Sequence, residues 1–251
     1  MPIFSGRQLA DWSGGAWAPA CPDRVEGVSS DTRTIARGNL YFALTGKNFD
    51  GHDFIGSAFE KGAAGAVVSK ARKMTFLPDR PLLQVDDPAK ALRDIASAYR
   101  LHVGAEMIAV TGSAGKSTVK EMTAHVLSAA VPTASTPGNW NNEIGLPLSL
   151  LSMGGSSRIG VFELGMNHPG EIIELCRILR PNWGVITNVG PVHIEFFGSV
   201  EAIANEKAWL LKNLPDDGVA VLCADGGFFD FFKSRSPARL ITVSAGGNAD
   251  Y

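Results

Sequence analysis

The sequence predicts an α/β protein in two parts: a small mixed α/β N-terminal domain, then a phosphate-loop (P-loop) domain with a mainly parallel sheet. Three observations predict it. Short apolar runs alternate with stretches of helical spacing through the second part, the pattern of strand–helix–strand units. One strand-to-helix junction carries the glycine-rich turn Thr111-Gly-Ser-Ala-Gly-Lys-Ser-Thr118. A length of 251 residues allows two domains of ordinary size, at roughly 100–200 residues each.

In chain order, Asn39–Leu44 reads as a strand, His52–Gly62 as a helix, Ala64–Ser69 and Leu82–Val85 as strands, and Pro88–Leu101 as a helix with apolar residues at helical spacing. Around Val103-Gly104-Ala105 the pattern becomes more regular, which sets the expected domains at 1–103 and 104–251. Met107–Thr111 is then a buried strand, followed by a helix over Lys116–Ala130 and a strand over Arg158–Leu164. Next come a helix over Gly170–Leu179, a strand over Trp183–Asn188 and a helix over Ser199–Leu214. Val219–Cys223 and Leu240–Val243 complete the expected strands. The polar end Ser244–Tyr251 closes no element, so the second domain is expected to be incomplete.

Composition narrows the function classes. With 45% hydrophobic and 19% charged residues the chain has ample material for a core and is not of disordered type. A net charge of −2 without blocks of like charge gives no footprint for nucleic acid or anionic lipid. Cys21, Cys176 and Cys223 are far apart, with neither metal-ligand spacing nor a disulfide framework, as expected of a cytoplasmic protein. The N-terminus lacks the charged and apolar regions of a signal peptide, and apolar runs fall short of the ~20 residues of a membrane span.

The turn at 111–118 is the strongest chemical signal. Gly112 and Gly115 let the backbone curl so that successive N–H groups face one anion, and the helix that follows adds its positive end. Lys116 can neutralise β/γ-phosphates, and the Ser117 hydroxyl can ligate Mg²⁺. The general phosphate-loop pattern has a glycine where this chain has Val110, so a shorter Gly-x-x-Gly-Lys-Ser form is present.

That Thr-Gly-x-x-Gly-Lys-Ser-Thr form resembles the ATP loop of the Mur ligases and their folylpolyglutamate synthase relatives. Many members carry asparagine where this chain has Ala114, which removes one side-chain contact but not the backbone cradle. The resemblance implies ATP contacts from Gly112, Ser113, Ala114, Gly115, Lys116, Ser117 and Thr118.

Three further segments fit in order. Thr136-Pro-Gly-Asn-Trp-Asn-Asn-Glu-Ile-Gly-Leu-Pro147 offers uncharged amides suited to a polar ligand, and on chemistry alone it fits a turn-rich loop equally well. Its asparagine pattern is similar to the MurF branch, which implies substrate contacts from Asn139, Asn141 and Asn142. Glu163 ends an apolar strand at the carboxyl edge of the sheet, where it is either a Mg²⁺ ligand or a solvated strand end. The run Glu163-Leu-Gly-Met-Asn167 resembles the family's metal-binding strand. In Ile186-Thr-Asn-Val-Gly-Pro-Val-His193, the residues alone favour an ordinary loop histidine; the resemblance implies Asn188 near ATP and His193 at a second Mg²⁺. Lys207 on the following helix matches the family's lysine that CO₂ converts to a carbamate, a carboxylate-like metal ligand. Without the resemblance Lys207 is an ordinary surface lysine, and Lys212 is a rival whose spacing does not fit.

In the N-terminal part, Ser29-Ser-Asp-Thr-Arg33 and Leu44-Thr-Gly-Lys-Asn-Phe-Asp-Gly-His52 are polar loops that can bond a uracil edge or a diphosphate. Both resemble the UDP-sugar-binding domain of MurE and MurF, which implies contacts from Ser30, Thr32, Arg33 and Lys47.

The resemblance runs from Val28 to Leu211, and nothing corresponds to the family's third, C-terminal ligase domain. It implies ATP-dependent joining of D-Ala-D-Ala to UDP-MurNAc-tripeptide through an acyl phosphate, with ATP, two Mg²⁺ sites and a lysine carbamate as cofactors, by a monomer in the cytoplasm, and a fragment inactive alone. Catalysis would fall to Lys116, Glu163, His193 and Lys207. The rivals are a MurE-type ligase that adds one amino acid, a non-catalytic nucleotide or UDP-sugar binder, and a P-loop kinase, for which no second phosphate-acceptor motif is present.

Overall fold

The structure, a computed structural model, describes residues 1–72 and 79–251. It divides into two compact units: Met1–Tyr99 with Leu151–Gly155, and Arg100–Leu150 with Ser156–Tyr251.

The first unit opens with β1 (Ile3–Phe4) and α1 (Gly6–Ser13). Helix α1 is short and amphipathic, with Leu9 buried and Arg7 and Asp11 exposed. A capping box starts it: Ser5 accepts from Gln8 N, and Gln8 returns a bond to Ser5 N. Gly14 ends it in the left-handed conformation. Then come β2 (Ala16–Ala18), β3 (Val25–Glu26), β4 (Val28–Ser29), β5 (Leu40–Phe42), α2 (Ile55–Glu60), β6 (Gly65–Ser69), β7 (Leu82–Val85) and α3 (Pro88–Val103). A five-stranded sheet runs β2-β7-β6-β5-β4, parallel except for β2 against β7, while β1 pairs with β3. Tyr41, Ile55, Phe59 and Val68 pack together between this sheet and α2.

The single helix expected over His52–Gly62 is two elements, a 3₁₀ turn at Gly51–Phe54 and then α2. Asp50 caps the turn by accepting from His52 N at 3.0 Å. Gly51 is required beside it, because a Cβ there would lie 2.6 Å from the Leu44 carbonyl oxygen.

The second unit contains β8 (Glu106–Thr111), α4 (Lys116–Ser128), β9 (Thr133–Ser135), α5 (Gly145–Leu150), β10 (Ile159–Glu163), α6 (Glu171–Leu179) and β11 (Trp183–Ile186). After these come α7 (Ile194–Phe197), α8 (Val200–Lys212), β12 (Val219–Cys223), α9 (Phe229–Lys233) and β13 (Arg239–Val243). Six parallel strands form one sheet in the order β13-β12-β11-β8-β10-β9. The expected α/β class with a mainly parallel sheet is therefore what the chain adopts.

This topology decides where a ligand can sit. The chain leaves β8 toward the β9 edge, whereas it leaves the adjacent β11 toward the β13 edge. Right-handed crossovers in opposite directions put α4 on one face of the sheet and the later helices on the other. The carboxyl ends of β8 and β11 thus flank a switch point, the usual ligand crevice of open α/β sheets. Register brings the strand ends level there: Glu163 lies opposite Val110, and Ile186 opposite Thr111.

Candidate functional site

The loop after β8 is shaped by its glycines and by the strand next door. Gly112 has φ +154°, and a Cβ on it would come 1.9 Å from Thr187 Oγ1. Gly115, at φ +77°, stands at the N-cap of α4 with no side chain to satisfy the helix's first amides. These free donors and the helix dipole are what an anion requires. The loop after β11 is sewn onto the turn. Ser113 N donates to Asn188 O at 3.1 Å, and Ser113 Oγ exchanges bonds with Gly190 at 3.0 and 2.8 Å. Thr187 Oγ1 donates to Ala114 O at 2.6 Å. The Asn188 amide bonds both backbone groups of Ala114, at 2.9 and 3.2 Å, so it shapes the loop. Gly112→Ala is expected to expel Thr187 from this contact, cost about 2 kcal/mol and abolish nucleotide binding. A denaturant melt and a nucleotide titration check it; wild-type binding would show that the turn has slack.

Lys116 Nζ folds over the loop and donates to Gly112 O at 2.9 Å. Ser117 Oγ donates to Glu163 Oε2 at 2.7 Å, and Asn141 Nδ2 donates to Glu163 Oε1 at 2.7 Å. Glu163 is 2% exposed at the end of β10, and its N–H donates to Thr136 Oγ1 at 3.0 Å. It is a fixed carboxylate with a partner on each oxygen, not a solvated strand end. Thr118, one residue beyond Ser117, is exposed.

A second group forms beside it. Lys116, His193 and Lys207 line one small cavity of about 20 Å³, with Gly112 and Met166 in its wall. That is room for about one water molecule. His193 begins α7 with φ +60°, a conformation rare outside glycine, which turns the chain sharply at the cavity. Lys207 is 2% exposed, and its Nζ has the Met166 thioether at 4.0 Å as partner. Burial, reinforced by the positive charge of Lys116, pulls its pKa down to about 7, and Glu206 opposes this. A larger cavity, about 160 Å³, opens at the ends of β11 and β12 beside Asn188, with Phe228, Phe229 and Phe232 in its wall.

Not every anticipated residue converges. Asn142 Oδ1 accepts from Ile144 N at 3.2 Å and Gly145 N at 2.8 Å, so it caps the entry to α5. Asn139 is exposed and offers its carbonyl to Asn141 N at 2.8 Å. In the first unit, the exposed Arg33 guanidinium lies on Asp31, with Nη2–Oδ2 at 2.6 Å, and holds that carboxyl below its usual range. Thr32 O accepts from Lys61 Nζ at 2.7 Å, Ser30 is half-buried, and Lys47 is exposed on the loop bridged between Thr45 and Asp50.

Residues that the motifs do not single out complete the frame. Lys120, at 0% exposure, donates to Thr136 O and Gly138 O at 2.8 and 3.1 Å. The buried Glu206 accepts from Gly170 N and Ile172 N at 3.0 and 2.9 Å, which ties α8 to the start of α6.

Two family profiles match the chain: "Mur ligase family, catalytic domain" over residues 24–100 and "Mur ligase middle domain" over residues 110–251. The UDP-N-acetylmuramoyl-tripeptide–D-alanyl-D-alanine ligase of Bacillus subtilis (strain 168) is 40% identical over 231 residues, 90% of this chain and 49% of that protein. The enzyme of the same name from Escherichia coli (strain K12) is 39% identical over 217 residues, 86% of this chain and 47% of its own length. The chain spans about half the length of the curated relatives it matches. A crystal structure of MurF from Acinetobacter baumannii superposes with a TM-score of 0.89 at 29% identity, covering 96% of this chain and 53% of that one. MurF from Thermotoga maritima in complex with ADP gives 0.78 at 31% identity, covering 89% and 51%. The likeness carried by the loop and the ordered motifs holds over both units, and the chain belongs to the Mur ligase family.

Proposed function

We propose that this chain supplies the UDP-sugar-peptide-binding and ATP-binding parts of a ligase that joins D-Ala-D-Ala to UDP-MurNAc-tripeptide. The observation that carries it is the gathering of Lys116, Ser117, Glu163, His193 and Lys207 at one sheet edge. The relatives' name supports the acceptor and the dipeptide. Ser30, Thr32, Arg33 and Lys47 are proposed to hold the UDP-sugar portion, and Asn139, Asn141 and Asn142 the peptide side. Three free, dispersed thiols fit a reducing cytoplasm, and among the described residues no helix is long and apolar enough to cross a membrane.

The residues fit Mg²⁺. A hydroxyl and a carboxylate meet at 2.7 Å where phosphates would lie, and both are hard oxygen donors. Ser117 and Glu163 would hold one ion; when bound, Mg²⁺ supplies neutralisation of phosphate charge. Among the described residues, no three His, Cys, Asp or Glu side chains converge on a metal site. A second ion beside His193 would be held by the oxygens of a carbamylated Lys207, with Glu163. The neutral Lys207 amine can add to CO₂, forming an N–C bond with release of one proton.

In the reaction, a carboxylate oxygen of the tripeptide attacks the γ-phosphorus and the bond to the β-phosphate oxygen breaks, leaving an acyl phosphate and ADP. The dipeptide amine then attacks the acyl carbon, phosphate departs and the amine loses a proton. Lys116 neutralises charge on the transferring group, and the loop amides orient it. Asn141 holds Glu163 in place.

The test is ADP release by the product of the whole reading frame, with UDP-MurNAc-tripeptide as acceptor and calorimetry of the acceptor alongside. Release that depends on D-Ala-D-Ala is expected. Release with diaminopimelate or lysine instead would reassign the chain to the branch that adds one amino acid. Acceptor binding without any ADP release would make it a binding module.

A further inference from the structure

Lys120 takes no part in the proposed chemistry, yet its side chain is fully buried. It stands on α4 one turn after Ser117, on the side facing β9 and β10. Its ammonium has three N–H groups, and all three find acceptors: Thr136 O at 2.8 Å, Gly138 O at 3.1 Å and Glu121 Oε1 at 2.7 Å. Burying an ammonium is costly, and a helix face that only had to fill a core would carry leucine or methionine. What the lysine adds is a directed grip on the backbone at 136–138.

That stretch of backbone sets the position of Glu163. The Thr136 hydroxyl oxygen accepts from Glu163 N at 3.0 Å. A few residues on, Asn141 Nδ2 reaches Glu163 Oε1 at 2.7 Å, and Asn141 O accepts from Gly165 N at 2.8 Å. From the other side, Ser117 Oγ holds Oε2 at 2.7 Å. A closed ring of contacts therefore runs from Ser117 along α4 to Lys120, across to Thr136, on to Glu163 and back to Ser117. We propose that Lys120 is a positioning residue, which locks the 136–142 loop onto the phosphate-loop helix and so holds the Glu163 carboxylate in line with Ser117. Its consequence for Mg²⁺ rests on the function proposed above; the positioning itself does not.

The test uses the 251-residue chain. Lys120→Met keeps the apolar stem and removes all three donors. Amide exchange is expected to accelerate through 136–142 and at Glu163 while β8 and β11 stay protected. The gain in ADP affinity produced by Mg²⁺ is expected to fall about tenfold, with metal-free ADP bound as in the wild type. Thr136→Val keeps the carbonyl that Lys120 holds and deletes the hydroxyl that Glu163 uses; it should show the same loss of Mg²⁺ dependence, and wild-type Mg²⁺ dependence in it would break the link from the loop to Glu163 and overturn the proposal even if Lys120→Met does not fold. A lower melting temperature with wild-type exchange at 136–142 and wild-type Mg²⁺ dependence would overturn the proposal and leave Lys120 as core filling. A wild-type chain that binds ADP without any response to Mg²⁺ would sink the ligase reading instead, and the exchange data would still decide the positioning role.

Discussion

Lys116→Ala is expected to abolish the ATP-dependent ligation proposed for the product of the whole reading frame, with turnover down by about a thousandfold or more. The lysine sits where a phosphate would meet the loop, beside Gly112 O at 2.9 Å, and no second cation of the loop can replace it. Folding should be little affected, because the side chain is half-exposed and its one bond is to a neighbouring turn. A melt and a single-turnover ADP assay separate the two effects. The substitution also has an electrostatic signature. The Lys116 charge is one cause of the low pKa of Lys207, so its removal should raise that pKa. Near-normal ADP formation by the variant would remove Lys116 from the chemistry, and an unshifted Lys207 would show that the two amines do not share a cavity.

The parts of this site that can be read from sequence are those whose chemistry is local. Gly112, Gly115, Lys116 and Ser117 lie within one turn, so their spacing alone describes an anion cradle. Glu163 is legible as a strand end because the apolar run before it stops there. Lys120 and Glu206 are invisible in the same reading. Each is a charged residue on a helix, and only the fold reveals that Lys120 faces loop carbonyls and Glu206 the start of α6. Asn142 is legible as a polar loop residue, but an amide that caps a helix and one that contacts a ligand look alike before the chain is folded. The short elements escape for a related reason. Strand β9 has only three residues, none fully buried, and α5 begins Gly-Leu-Pro, which reads as a turn. Helix α1 is only eight residues long, and its local signals are the Ser5–Gln8 capping box and Gly14 at its end. The central strands β8 and β10 of the second sheet are the opposite case: largely buried, they carry continuous apolar runs that need no partner to be recognised.

Lys207→Met is expected to stabilise the protein while eliminating the ligase activity proposed for the product of the whole reading frame. The amine titrates at about 7 in the fold against an ordinary value of 10.5, because burial penalises the ammonium and Lys116 repels it. Between those pH values the unfolded chain holds a proton that the folded chain lacks, so the contribution of Lys207 to stability rises from pH 7 toward 10.5. Below pH 7 the whole penalty stands. Methionine carries no such penalty, so the variant should gain roughly 4 kcal/mol at pH 7 and progressively less at higher pH. Urea melts of both proteins across this range provide the check; parallel pH profiles would mean that Lys207 is charged and solvated in the fold. The same substitution should remove any stabilisation by bicarbonate, since an amine held neutral inside the protein is the species that captures CO₂. In the wild type, intact mass spectrometry should then show the addition of one CO₂, absent from the variant. A cation retained at 2% exposure, with only a thioether at 4.0 Å to accept its hydrogen bond, is a net loss to folding. Its presence makes physical sense if the amine is there to be converted into an anion, for then the charge of Lys116, which disfavours the ammonium, would stabilise the product.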